Sequence, residues 1–556
     1  MKKLLSIIIL FIAFTSFIFS QEELKSSEED YYDFLSLQGL VERPSLVYRT
    51  MNDSVWNLSD DAEHIWKDNN LGSIKSFNQF NYKILTPHWY NSYNSAAPYG
   101  QNDGAIWQGR GYNTYLTGGI FAEGYGLSVS IKPQISFAQN KAFDYTTPVY
   151  SGEAYKNKAD TYGDYSLGSI DAPQRFGNKP IFNFDLGDTE IRYTWHTLTI
   201  GFGTENIWLG PAQENPIMHS NTAPGYPHLD FGIKKQNISF KNINFGNIEF
   251  RYWLGKTSES DFFDNDSSND DNLITGLCVA YSLPFLKGLT VGLNRTMLSK
   301  WSQKDAYSMF TLLIPYMKSH FGYDQNDQRA SVFADYYIPE GGVDIYFEWG
   351  KNDYNSGFDN LMRYPFHTQA ITAGFKKNTY YKNTSLQGQF LFELCFIESS
   401  MDYHFFYDWG GSGNDFYTHH IITQGYTNKG QYLGAGIGAG GNSQLISYKL
   451  YYPKGSTKLF VERINPDLNY SYFLAYRNPE SKTPNGDVKT AIRVFLNIGV
   501  ETQYYFTPDL LFNAAFILSD EHNPLNKNSN LVPNKSPTKS EHRYNCIIQT
   551  GVKYYF

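Results

Sequence analysis

Four of the chain's ten tryptophans, Trp107, Trp208, Trp301 and Trp409, stand near the ends of polar stretches rich in Gly, Pro, Asn and Asp. An indole so placed can stack on the apolar C–H face of a sugar ring while neighbouring Asn, Asp, Arg or Gln side chains meet its hydroxyls. The same placement also suits an aromatic that packs a loop or anchors a strand at a membrane surface. Other groupings promise less. A hydrolase needs a Ser, a His and an orienting carboxylate or amide brought together. His219, Ser220 and Asn221 are adjacent, but no spacing demonstrates such a group, so no catalytic residue is assigned and no enzyme is expected.

The run Gly434 to Gly441 resembles a phosphate-cradling loop, yet no strand-then-helix unit surrounds it. It reads as a bent, tightly packed loop. Asp264 to Asn272 offers oxygen ligands at calcium-like spacing but lacks the Gly at position six and the Glu at position twelve of an EF-hand. It reads as a solvated loop with incidental divalent-ion binding. His419 and His420 are neighbours that would point to opposite faces of a strand and could not chelate one ion together. No metal site and no cofactor are expected.

The elements that must position such residues are legible at the C-terminus. In the last eleven residues Ile548, Thr550, Val552, Tyr554 and Phe556 share one face of a strand, and Gln549, Gly551 and Lys553 share the other. One face suits lipid and the other water, as in the closing strand of an outer-membrane barrel. The opposite end agrees. Lys2 and Lys3 precede an apolar run from Leu4 to Phe19, and an acidic stretch follows Gln21. About sixteen mostly apolar residues fall short of the roughly twenty a spanning helix needs, so residues 1–20 are expected to be a secretory signal peptide cut after Ser20.

Losing Lys2 and Lys3 with it takes the formal charge from −9 to −11, which argues against nucleic acid as a partner. Cys278, Cys395 and Cys546 each lie inside an expected strand and read as small apolar wall residues, not a disulfide framework. Aromatics make up 17% of the chain, a composition that fits the Tyr and Trp girdles of a barrel.

Residues 21–74 carry a helical period and are expected to form a small periplasmic segment at the barrel mouth or inside it. Ser26 and Glu29 make a capping box, Tyr31, Phe34, Leu35 and Gln38 follow at helical spacing, and Gly39 ends the helix. A second short helix is expected from Asp60 to Lys67, burying Ala62, Ile65 and Trp66.

From residue 75 to 556 the period is two. Strands are expected near 81–92, 111–123, 127–139, 188–196, 198–207, 227–238, 245–258, 273–283, 289–301, 329–340, 343–353, 367–378, 386–399, 443–453, 456–465, 489–506, 510–520 and 543–556. That is an all-β fold, a transmembrane antiparallel barrel of about eighteen strands. Short turns such as Gly124 to Gly126, Glu340 to Gly342 and Thr507 to Asp509 alternate with long polar loops near 93–110, 140–187, 208–226, 259–272, 302–328, 354–366, 400–442, 466–488 and 521–542. Counted back from a periplasmic C-terminus, every short turn is periplasmic and every long loop extracellular.

Four blocks resemble the capsule assembly protein Wzi family: Glu205 to His228, Asn102 to Gly111, Ala172 to Gly177, and Gln424 to Gln431 with the following Gly-rich loop and Asn442 to Gln444. The resemblance extends over nearly all of the chain after residue 20. Asn428 departs from the family's wording, where His is expected, which puts any specific role for that position in doubt. The resemblance implies an outer-membrane lectin that holds exported capsular or surface polysaccharide on the cell by binding and not by bond-making. On that basis Trp107, Trp208, His219, Asn221, Tyr426 and Gln431 are candidate glycan contacts. Expected partners are the polysaccharide and outer-membrane lipids, with polysaccharide export machinery left open as a further one. Alternation alone equally allows a porin or specific channel for small solutes.

Overall fold

Side-chain alternation along each strand, which hydropathy averages conceal, decides the architecture. The computed structural model describes residues 17–21, 24–59, 61–72, 74–145, 170–264, 266–313, 326–352, 362–363, 365–366, 368–398, 416–419, 421–466, 492–524 and 541–556. Its main sheet closes as an antiparallel barrel of eighteen strands. The first nine are β1 (Phe80–Asn94), β2 (Gly111–Gly124), β3 (Leu127–Ile131 continued by Gln134–Ala138), β4 (Ile181–Asp185 continued by Glu190–Trp195), β5 (Leu198–Gly203), β6 (His228–Phe240), β7 (Ile243–Ser258), β8 (Asp271–Ser282) and β9 (Leu289–Lys300). The remainder are β10 (Asn326–Ile338), β11 (Val343–Asn352), β12 (Gln369–Tyr380), β13 (Gln387–Phe396), β14 (Asn442–Tyr452), β15 (Gly455–Asn465), β16 (Val494–Thr507), β17 (Leu510–His522) and β18 (His542–Tyr554). β18 pairs with β1, from Ile547 opposite Asn94 to Lys553 opposite His88, and this shuts the ring. No sheet edge is left unpaired around it.

Prolines sit where the ladder is interrupted, as a residue without an N–H must. Pro133 divides β3, and β1 shifts register between Leu85 and His88, beside Pro87. Outward side chains are apolar and exposed to lipid: Ile345 and Phe347 on β11, Leu496 and Ile498 on β16, Ile548 and Tyr554 on β18. Inward neighbours are polar and buried, among them Asp344, Glu348, Asn497 and Lys553. All three cysteines are free thiols, with Cys278 and Cys395 buried in the wall.

Helix α1 (Ser27–Ser36) starts at Ser26, whose hydroxyl accepts the Glu29 N–H at 3.1 Å. Glu29 reaches back to the Lys25 N–H at 2.6 Å, one residue earlier than a reciprocal capping box would have it. Gly39 lies beyond the helix with φ +73°. The helix packs at the short-turn end of the barrel. Asn378 donates to the Phe34 carbonyl at 3.1 Å, Tyr31 stacks on Trp66 at 3.9 Å, and Phe34 stacks on Tyr451 at 4.1 Å.

The expected second helix does not form: among the described residues 61–67 are turns and irregular backbone. Trp66 is fully buried there, its indole N–H shared between the Tyr452 and Gly455 carbonyls at 3.0 Å each. Anchoring to a short turn of the wall overrides a local helical period too short to hold itself. Residues 1–16 of the expected signal peptide lie outside the described residues. Phe17–Gln21 pairs antiparallel with Val55–Ser59.

Candidate functional site

Three inward-facing wall charges, Glu249, Glu393 and Arg329, are buried where chain segments fold into the lumen and bond to them. The strap after α1 lays the backbone N–H groups of Leu46, Val47 and Tyr48 on Glu249 of β7. The loop after β5 lays those of Gln213, Glu214 and Asn215 on Glu393 of β13, at 2.7, 3.1 and 2.7 Å. The stretch before β14 is held by Arg329 of β10, which donates to the Phe416 carbonyl at 2.5 Å and lies 4.4 Å from the Tyr426 ring centre. A carboxylate on two or three N–H donors, or a guanidinium on a carbonyl, satisfies groups that would be costly to bury alone. The strap and the loop after β5 also pair directly, Tyr48–Arg49 with Trp208–Leu209. Around these contacts lies an apolar core that includes Val47, Ile207, Ile217, Met218, Tyr417 and Leu433.

This packing places the candidate contacts. Trp208 is fully buried, donates its indole N–H to the Ala212 carbonyl at 3.0 Å, and lies 5.2 Å from the Arg49 guanidinium. His219 is buried between Tyr426 Oη at 2.9 Å and Tyr226 Oη at 2.8 Å. Burial pushes its pKa down to about 3, which keeps the imidazole neutral. Tyr426 is fully buried. All three are therefore buried within the plug, Tyr426 against His219 and Trp208 against Arg49, out of reach of a polymer at the surface.

Asn221 is nine-tenths buried and lines a separate polar cavity of about 310 Å³ beside α1. Trp107 and Gln431 are only part-buried and line a cavity of about 240 Å³ at the long-loop end. Trp107 packs against Phe176 with the rings tilted at 59° and their centres 4.7 Å apart. Trp301 sits at the outer end of β9 under the Lys304 ammonium at 4.5 Å, and Trp409 lies outside the described residues.

The glycines of 434–441 act as the sequence suggests. A methyl at Gly434 would stand 2.2 Å from Tyr417 Oη, and one at Gly436 2.5 Å from Gln101 Cγ. Asn428 is structural, donating to the Pro224 carbonyl at 3.0 Å and accepting the Ser258 N–H at 3.1 Å. His419 accepts the N–H groups of Ile421 and Ile422 through Nδ1, and His420 lies outside the described residues. In the acidic loop Glu259, Asp264 and Asp270 bring oxygens within 4.8 Å of one another. Burial, then the charges of Asp264 and Asp171, push Glu259 up to about 10.

A second cavity at the long-loop end, of about 210 Å³, adjoins the one at Trp107 and shares Pro98, Gly436, Ile437, Pro466 and Phe495 with it. Its lining also includes Tyr432, Phe143, Gln174, Arg493, Glu521 and Arg543. These residues were not singled out from the sequence. The signal that locates them is strand register: Glu521 pairs with Phe495 on one side and Arg543 on the other. The cavity thus sets aromatic rings beside amide and charged groups, most of them half-buried.

One solved structure similar to the chain is described as Wzi, an outer membrane protein involved in group 1 capsule assembly in Escherichia coli and a carbohydrate-binding β-barrel. The two align over 97% of this chain and 100% of that one, at 12% identity and a TM-score of 0.58. The fold is the one that Wzi has. Weaker likenesses are OccAB2 of Acinetobacter baumannii, at 10% identity over 85% of this chain and 97% of that one with a TM-score of 0.38, and OccD1 (OprD), at 8% over 86% and 96% with 0.39. No family model and no curated protein matches the sequence. Like Wzi, this chain is an outer-membrane β-barrel; its own barrel closes with eighteen strands, an exposed lipid-facing band and a polar lumen.

Proposed function

We propose that the protein binds exported capsular or surface polysaccharide at its outer mouth and holds it on the cell, a Wzi-like role in capsule assembly. The observation that carries this reading is the pair of adjoining outer cavities, floored by the folded-in loops and lined by Trp107, Gln431, Tyr432 and Phe495. Each sugar contact is modest, and a repeating polymer that engages several barrels gains by avidity. Nothing in the arrangement requires bond-making. Of the six candidate contacts, Trp107 and Gln431 touch the glycan; Trp208, His219 and Tyr426 shape the loops beneath it; and Asn221 faces the inner cavity.

The deciding experiment is the partition of surface polysaccharide between cells and medium with the gene deleted and then restored. Undiminished total polymer shed into the medium supports attachment; normal retention rejects it.

The channel reading keeps one observation in its favour. Beside the plug, Glu501 points inward from β16 yet its side chain is 41% exposed, into the cavity of about 310 Å³. A steady open conductance in a planar bilayer would support that reading, and a sealed barrel counts against it.

A further inference from the structure

The polar cavity of about 310 Å³ beside α1 lies inside the barrel, with walls that include β1, β2, β17 and β18. Its size is that of a small-ligand pocket. Part of the lining is a tyrosine pair. Tyr90 and Tyr115 stack with ring centres 4.9 Å apart, and His88 stands edge-on to Tyr115 at 5.3 Å.

Carboxamides make up another part. Asn221, Gln134 and Asn513 reach the cavity from the loop after β5, from β3 and from β17. Asn221 is nine-tenths buried, and its buried Oδ1 has no hydrogen-bond partner among the described residues; the same holds for Asn513 Oδ1 and Gln134 Nε2. Acceptors and a donor are thus left open, each costly to bury unmet. A hydroxyl donates and accepts at once, so it can meet both kinds.

The ammonium groups of the lining are already engaged. Lys25 stands 3.5 Å from Glu214, Lys449 3.3 Å from Asp30, Lys458 3.6 Å from Glu501 and Lys553 2.8 Å from Glu28. Paired ammonium groups beside open amides and aromatic rings suit a neutral polyhydroxylated ring better than an ion. Asp103 lines both this cavity and the one at Trp107.

We propose that the inner cavity is a saccharide site, separate from the outer pair, which takes one neutral sugar ring against the tyrosines and bonds it through the three carboxamides. Two sources offer that chemistry: the terminal residue of the polymer, reaching in past Asp103, and a free sugar from the medium. The site goes beyond the attachment reading, which the outer cavities carry without it.

The test is saturation-transfer NMR on the purified full-length protein. One set of probes is glucose, glucuronate and glucosamine, a similar ring in three charge states; the other is short fragments from partial hydrolysis of the surface polysaccharide. Ala515 lines the cavity from β17, so Ala515→Trp fills it, and Asn513→Leu removes an open carboxamide at similar bulk. Heat-modifiable gel migration checks barrel assembly. Glucose is expected to bind about tenfold better than either charged ring, and each variant should weaken it several-fold or more. Fragments that bind tighter than glucose assign the polymer's terminus; weaker ones assign the free sugar.

No binding of any sugar, equal binding of neutral and charged rings, or an assembled Ala515→Trp barrel with the parent's affinity overturns the proposal, and the cavity then holds water only. Asn513→Leu decides the matter where Ala515→Trp does not assemble. Glucose binding in a protein whose deletion leaves polysaccharide on the cells would instead sink attachment and leave the inner site standing.

Discussion

Tyr432 is half-buried in an outer cavity whereas His219 and Trp208 are sealed in the plug, and opposite phenotypes follow from that difference. Tyr432→Ala and Trp107→Ala are expected to shed polysaccharide from cells at unchanged barrel stability, read by the cell-to-medium ratio and by thermal melting in detergent. Trp208→Ala should cost about 3–5 kcal/mol, as emptying an aromatic site in a packed core does, visible as a lowered melting temperature. His219 also makes the plug acid-sensitive. Its pKa is held by burial at about 3, below its ordinary value of 6.5, so the unfolded chain takes up a proton that the folded one refuses. Stability is complete above the ordinary value and is lost as pH falls from there toward about 3. His219→Asn should flatten that slope in melts between pH 7 and pH 4.

For single elements, the wall carboxylates that hold the loops are the points to probe. Removing Glu393 frees three backbone N–H groups of 213–215, each costing roughly 1–3 kcal/mol if left unpaired in a buried place. Glu393→Ala is therefore expected to lower hydrogen-exchange protection at those residues while the strands stay protected, and a change spread evenly over the barrel would contradict it. Strands were the legible elements because most repeat a period of two over ten or more residues against lipid on one side. Helix α1 was legible from Ser26, Glu29 and Gly39. The turn region around Trp66 was not, because its partner is a turn almost four hundred residues away. The block from Glu205 to His228 was readable as a loop, but its inward course depends on Glu393 and Arg49, which no local pattern connects to it.

Over the whole molecule the bilayer acts as the solvent for one face. Ile498 is lipid-exposed near the middle of β16, and Ile498→Arg is expected to destabilise the barrel by about 2–4 kcal/mol, measurable by reversible unfolding in lipid. The same change at an inward position would meet a polar lumen and cost less.

The sequence by itself determined the barrel, its eighteen strands and its lipid face, because alternation is a local property that lipid enforces residue by residue. Tertiary structure alone decided that the block from Glu205 to His228 folds into the lumen, that His219, Trp208 and Tyr426 lie beneath the surface, and that Arg493, Glu521 and Arg543 converge. Those outcomes depend on pairing register and on contacts between segments hundreds of residues apart, where the satisfaction of buried charge selects one arrangement that no neighbouring residues encode.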